Sequence, residues 1–385
     1  MLDTENVKSD IKNEMQKFVS SLDKPRILLA GSTGCGKSTL CNLVFKRDVC
    51  AAGSGRPQTR GIREIQAEDI PVIIHDSEGY ETGANFGSGG EGQDYFSIIT
   101  DFMDRQDENG NPVDIIWYCI SSAGARVTDA DISVIKEFRT RRRPIAVILT
   151  QADMCSQEDS DVLADTVKSA TGSDTAVFES STDPMVAHEI DTSGMGIDAL
   201  YEWTLGNLEE SRKDAFMIAC GRAFDRKYDY CVKLTREYSA MAGTAAVSPV
   251  PFSDAAIITP VQLAMVGRIL SVWNMNQMQN LLKAACIDQI LPMLGRFVAG
   301  NIIKFIPGIG QIMGGIVNAS VAFSLTYGLG KALNETCRMM CERELAGLAV
   351  NFSDFFGDSF IENVKKYAKE ARDWKEKGLD EEDPA

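Results

Sequence analysis

One octapeptide holds the chain's most specific chemistry: Gly31-Ser32-Thr33-Gly34-Cys35-Gly36-Lys37-Ser38, a complete G-x-x-x-x-G-K-S. It sits between an apolar run, Arg26 to Ala30, and a helical pattern that starts at Lys37. Glycines let backbone wrap a phosphate chain, while amide N–H groups and a helix N-terminus supply positive potential. Lys37 is placed to reach β- and γ-phosphates and Ser38 to ligate magnesium. Gly31, Gly34, Cys35, Gly36, Lys37, Ser38 and Thr39 are therefore the expected phosphate contacts. Downstream, the run Val72 to His75 ends in Asp76-Ser77-Glu78-Gly79. An aspartate there can hold magnesium through water, and the glycine N–H can meet a terminal phosphate. A third apolar run, Ile145 to Leu149, ends in Thr150-Gln151-Ala152-Asp153.

Taken in this order, the three segments resemble the P-loop GTPases of the Era-like and septin-like group, whose base-reading motif is N/T-K-x-D. The resemblance implies GTP or GDP with Mg2+ as cofactors. It assigns Asp153 to the guanine N1 and N2 donors, with Thr150 and Gln151 beside the base. Gln151 stands where the family usually has lysine, so the stem along the base is shorter and uncharged. Ser180-Ser181 resembles the short loop whose backbone touches guanine O6. The segment Asp48 to Gly61 resembles a switch I, and its one threonine, Thr59, is the candidate for completing magnesium coordination. Tyr80 to Gly92, with glycines at 83, 87, 89, 90 and 92, resembles a long switch II.

For hydrolysis the candidates are Lys37, Thr59, Gly79 and Arg56. Many GTPases place a glutamine just after D-x-x-G to orient water; here Tyr80 and Glu81 follow, which implies slow intrinsic turnover. Arg56 precedes Thr59 at the R-x-x-T spacing by which some heterotrimeric G-protein α subunits set an arginine on the transferring phosphate. A solvent-facing loop arginine is the other reading. Gly34 stands where potassium-dependent Era-like enzymes carry asparagine, so potassium activation is not implied. Cys35 lies near a helix N-terminus, which favours its thiolate, or is simply a small residue that fits the loop.

These residues must be positioned by a fold. Apolar runs at Arg26 to Ala30, Ile62 to Gln66, Val72 to His75, Ile115 to Ile120, Ile145 to Leu149 and Ala176 to Phe178 alternate with helical patterns. That alternation predicts an α/β fold with a mainly parallel six-stranded sheet covered on both faces. The 385 residues suit two domains. An amphipathic helix over 1–24, carrying Val7, Ile11, Met15, Phe18, Val19 and Leu22, precedes the nucleotide domain over 25–207. After Asn207 strand signals stop, predicting an all-α domain over 208–364 and a charged tail over 365–385 whose last residues are solvated and frayed.

The net charge of −16 repels phosphate backbones and argues against generic nucleic-acid binding. Ten cysteines in a chain that opens on the charged Met1 to Asp10 read as reduced thiols of a cytosolic protein. Arg139 to Arg143 reads as a solvated basic face. Phe305 to Gly330 is uncharged and long enough to span a bilayer, yet Pro307, Gly308, Gly310, Gln311 and Asn318 fit a buried helix pair equally. Pro249 to Asp254, Ile302 to Gly310 and Asn318-Ala319 resemble a hydrophobic helical domain that follows Era-like GTPase domains and occurs in YcjF-like membrane proteins. The resemblance implies a guanine-nucleotide switch coupled to a helical module, with peripheral or integral membrane contact and a homodimer through the GTPase domain as the associated options. A non-hydrolysing nucleotide-gated scaffold and a dynamin-like membrane-remodelling GTPase are the alternatives.

Overall fold

A computed structural model describes residues 4–46, 56–59, 61–66, 70–78, 91–124, 126–181, 196–245, 260–275 and 319–377. The chain forms two compact units: Leu22–Arg222, and Met1–Ser21 joined with Ala223–Ala385. The second unit opens with α1 (Thr4–Ser21), and the first is built on β1 (Arg26–Gly31), α2 (Lys37–Phe45), β2 (Arg56–Thr59), β3 (Ile62–Ile65) and β4 (Ile73–Ser77). It continues through α3 (Glu91–Glu108), β5 (Ile115–Ser121), α4 (Asp129–Thr140), β6 (Ile145–Thr150), α5 (Gln157–Thr171), β7 (Ala176–Ser180), α6 (Ile197–Asn207) and α7 (Glu210–Ala219).

The sheet runs β2-β3-β4-β1-β5-β6-β7. From β4 to β7 neighbours pair in parallel, while β3 is antiparallel to β4 and β2 to β3. The six predicted strands are present, and β2 is added at the edge inside the segment read as switch I. Central strands are apolar on both faces because both are covered. Leu28, Ala30, Ile116, Tyr118, Val147 and Leu149 pack on one side with Phe102, Val134 and Phe138 from α3 and α4. On the other, Trp117 stacks with Phe45 of α2 at 6.1 Å and meets Phe216 of α7 edge-on at 6.3 Å. Its indole N–H donates to Thr204 of α6 at 3.1 Å. Phe216 is fully buried in this cluster, so α7 belongs to the sheet's unit and the boundary falls at Arg222 rather than at 207.

The basic run on and after α4 is paired with acids: Arg139 with Asp174, Arg141 with Asp104 and Glu137, Arg143 with Asp107. Three of its four arginines are thus paired within the unit.

The second unit adds α8 (Phe224–Ala245), α9 (Pro260–Val272), α10 (Ala319–Leu345) and α11 (Asp358–Lys377) to α1. The amphipathic face of α1 closes on α9, where a Cβ at Gly267 would lie 3.2 Å from the Ile11 carbonyl oxygen. Arg268 of α9 lies over the rings of Phe18 and Tyr238 at 5.2 and 5.4 Å. The N-terminal helix is thereby part of this unit and not a separate segment. Within the charged tail, the described residues are helical. Phe360, Val364, Tyr367, Ala368 and Ala371 recur on one buried face, so 365–377 continues a helix against α10, and only 378–385 lies outside the described residues.

Among the described residues, no helix is long and apolar enough to cross a membrane. The segments Pro249 to Asp254 and Ile302 to Gly310, on which the helical-domain resemblance rests, lie outside them.

Backbones in this unit meet through glycine. A Cβ on Gly328 of α10 would sit 2.5 Å from the Val364 carbonyl oxygen and 2.8 Å from the Ala368 nitrogen of α11. Gly328→Ala should therefore force the helices apart and cost about 1–3 kcal/mol despite alanine's better helix propensity. Gly206→Ala in α6, where the added methyl meets nothing, should be neutral or gain up to about 1 kcal/mol. Urea unfolding of the two variants checks this opposition in sign.

Candidate functional site

The phosphate loop begins where β1 ends. Gly31 has φ of 136°, and a Cβ there would lie 2.2 Å from the Cys119 carbonyl oxygen on β5. Only glycine permits that approach. Gly36, with φ of 86°, turns the chain into α2, so Lys37 starts the helix.

Three side chains fasten this loop to the sheet. Thr150, buried at the end of β6, donates its hydroxyl to the Cys35 carbonyl at 2.6 Å and shares it with the Ile120 carbonyl at 3.2 Å. Tyr95, buried on α3, accepts the Gly31 N–H at 3.0 Å and bonds the Ser77 hydroxyl at 3.1 Å. Burial holds the Tyr95 phenol well above its ordinary range, so it stays neutral. Lys37, only 9% exposed, donates to the Gly31 and Ser32 carbonyls at 3.1 and 2.9 Å and lies 4.0 Å from the Cys35 sulfur. A buried ammonium held by neutral dipoles and a thiol is poised for an anion.

Asp76 stands beside this loop, in register with Leu29 of β1. Its Oδ1 is buried without a hydrogen-bond partner, a condition that costs about 1–3 kcal/mol unless a ligand relieves it. Burial pushes its carboxyl above the usual range, opposed by Lys37 and Arg63. A magnesium ion would supply the missing partner, so the residues present fit one. Ser38 and Thr39 lie exposed on the first turn of α2.

Farther along the strand ends, Ser181 donates to Asp153 Oδ1 at 2.8 Å. The two segments expected at the base thus meet across β6 and β7, where Thr150 and Ser180 are in register. Gln151 adopts φ of 55° and accepts a hydrogen bond from Ser121. Thr150, expected beside the base, commits its hydroxyl to the phosphate loop.

The switch candidates are placed by backbone alone. Thr59 pairs with Ile62, which pairs with Ser77, so it ends at the same edge of the sheet as Asp76. Arg56 pairs with Glu64, level with His75 and set back from that edge. Both lie two strands from β4, about 10 Å at ordinary strand spacing. Gly79, Tyr80 and Glu81 lie outside the described residues. Tyr95, Ser77 and Ser121 were not anticipated: their roles come from long-range pairing, and nothing in local spacing marks them.

Residues 26–151 match the family described as 50S ribosome-binding GTPase. The chain carries a P-loop GTPase domain. The match ends at Gln151, short of Asp153. No curated protein matches the sequence. Similar solved structures include translation elongation factor SelB from Methanococcus maripaludis in complex with the GTP analogue GppNHp, 14% identical with a TM-score of 0.31. That likeness covers 49% of this chain and 35% of SelB, so the chain spans about a third of the elongation factor. Toc33 from Arabidopsis thaliana with Mg2+ and GMPPNP is 16% identical with a TM-score of 0.29, covering 46% of this chain and 79% of Toc33.

Thr150→Val keeps shape but leaves the Cys35 and Ile120 carbonyls without their donor. It should lower stability by about 1–2 kcal/mol and weaken nucleotide binding roughly tenfold through a loosened loop. Fluorescent-nucleotide titration together with urea unfolding checks this, and parental values in both would contradict the fastening role.

Proposed function

We propose that the GTPase domain binds GTP with magnesium through Lys37, Ser38, Thr39, Asp76 and Asp153, and hydrolyses it slowly to GDP and phosphate. The observation that carries this reading is a phosphate loop already fastened in shape, with buried Lys37 held by backbone carbonyls at one end and Asp153 held by Ser181 at the other. An ionised carboxylate accepts the paired donors of a guanine edge, a pattern adenine lacks. Magnesium would neutralise phosphate charge beside Asp76, while Lys37 and the loop amides hold the chain of phosphates in place. Thr59 and Gly79 are proposed to follow the γ-phosphate, with β2 leaving the sheet edge to bring Thr59 in.

The switch states would act on a surface of this chain or of a partner. Self-association through the GTPase domain is one such reading. Membrane contact through the helical unit rests on the apolar composition of residues 276–318 alone.

Single-turnover phosphate release tests the enzymatic reading against a scaffold that binds without hydrolysis. Release of one phosphate per bound GTP by the parent, and none by Lys37→Ala, is expected; retained GTP without release supports the scaffold. Asp153→Asn should turn preference from guanine toward xanthine nucleotides. An unchanged preference for GTP over XTP would remove Asp153 from the base site.

A further inference from the structure

Two cysteines meet beneath the phosphate loop. Cys35 lies within the loop and Cys119 on β5, in register with Gly31, and both are free and fully or almost fully buried. A Cβ on Gly31 would lie 2.9 Å from the Cys35 sulfur and 2.2 Å from the Cys119 carbonyl oxygen, so both cysteines flank one glycine. Hydrogen bonding with Cys119 and the Lys37 ammonium 4.0 Å away hold the Cys35 thiol below its ordinary range. The same bond and burial keep the Cys119 thiol protonated, well above its usual range. One sulfur is thus the nucleophile and its neighbour the proton-bearing partner, the division of labour that disulfide formation needs. Beside Cys35 in the chain, Thr33 and Gly34 are exposed, and a Cβ on Gly34 would meet nothing within 4 Å.

We propose that Cys35 and Cys119 form a reversible disulfide that shuts the phosphate loop, with a hydroperoxide as oxidant. The Cys35 thiolate attacks the peroxide oxygen, the O–O bond breaks, and Cys35 becomes a sulfenic acid as the first water leaves. The Cys119 sulfur then displaces hydroxide from Cys35, gives up its proton, and the second water leaves with the S–S bond formed. Two thiols lose two electrons and one hydrogen peroxide gains them. Contracting a thiol contact to a bond of about 2 Å draws Cys35 toward β5 by on the order of 1–2 Å. The Thr150 hydroxyl, bonded to the carbonyl of the same residue, and the Lys37 ammonium, beside the same sulfur, are both displaced. Bound nucleotide covers the loop, so the occupied site resists oxidation and the empty one is trapped. The consequence for binding rests on the proposed nucleotide function, but formation of the cross-link does not.

The test uses the purified full chain, fully reduced, treated with graded hydrogen peroxide with and without GDP and magnesium. Remaining thiols are alkylated and peptides mapped by mass spectrometry, with half-exposed Cys155 as a measure of general oxidation. A Cys35–Cys119 linked peptide should accumulate before Cys155 is consumed, and GDP should suppress it at least tenfold. Affinity for a fluorescent GDP should fall at least tenfold in step with the linked peptide and return with dithiothreitol. Cys119→Ala should keep parental binding when reduced and should yield a dimedone-trapped sulfenic acid at Cys35 in place of the link. Cys155 oxidised with Cys35 and Cys119 unlinked would overturn the site, and a complete link with unchanged GDP affinity would overturn its gating. If the reduced parent binds no guanine nucleotide the functional reading fails, while the peptide map still decides the cross-link.

Discussion

The hydroxyl of Thr150 bonding the carbonyl of Cys35 is the contact on which the site's geometry depends. Those residues are 115 apart in sequence, and their 2.6 Å hydrogen bond joins the last residue of β6 to the loop that follows β1. The loop is itself a row of backbone groups turned outward, and such a row keeps its shape only if something behind it takes up the carbonyls. Thr150 takes one and Lys37 takes two more, while Tyr95 fixes the N–H at the loop's start. The parallel sheet supplies the frame. With β1 between β4 and β5, the ends of three strands bring Gly31, Asp76 and Cys119 to one edge.

The same contacts tie that loop to the elements that would move. Tyr95 lies on α3, which follows the glycine-rich segment, and its hydroxyl touches both the first loop glycine and Ser77, next to Asp76. From Ser77, next to Asp76, α3 is therefore one hydrogen bond away and the loop two. In the helical unit the organising constraint is different: small residues let helices approach at backbone distance. Gly267, Gly328 and Gly330 each stand where a Cβ would press on a neighbouring helix. Close-packed helices of this kind give α1 a docking partner and draw the chain's two ends into one unit.

What the sequence made legible follows from range. The phosphate loop could be read from eight consecutive residues, because its glycines, lysine and serine act where they stand. The strands were visible as apolar runs because both faces of the sheet are covered. Asp153 and Ser181 could be placed together only through resemblance, and their contact is the structural support for that placement. Thr150 was legible as a residue but not in its role, since its partner is fixed by the pairing of β1, β5 and β6. The strand β2 was hidden because Arg-Pro-Gln-Thr has no apolar alternation to signal it. The boundary at 207 was set by the end of strand patterning, whereas the real limit depends on where Phe216 goes. Charge likewise hid the apolar stripe of α11 within a tail rich in Lys and Glu.

The central proposal is that the phosphate loop is already shaped for one guanine nucleotide, with Asp153 selecting the base. Calorimetric titration of nucleotide-free protein with GDP, GTP, ADP and ATP in magnesium tests it most directly. The account predicts one site per chain and guanine nucleotides bound at least about a hundredfold more tightly than adenine ones. Equal affinity for ATP and GTP, or no heat of binding with either, would contradict it.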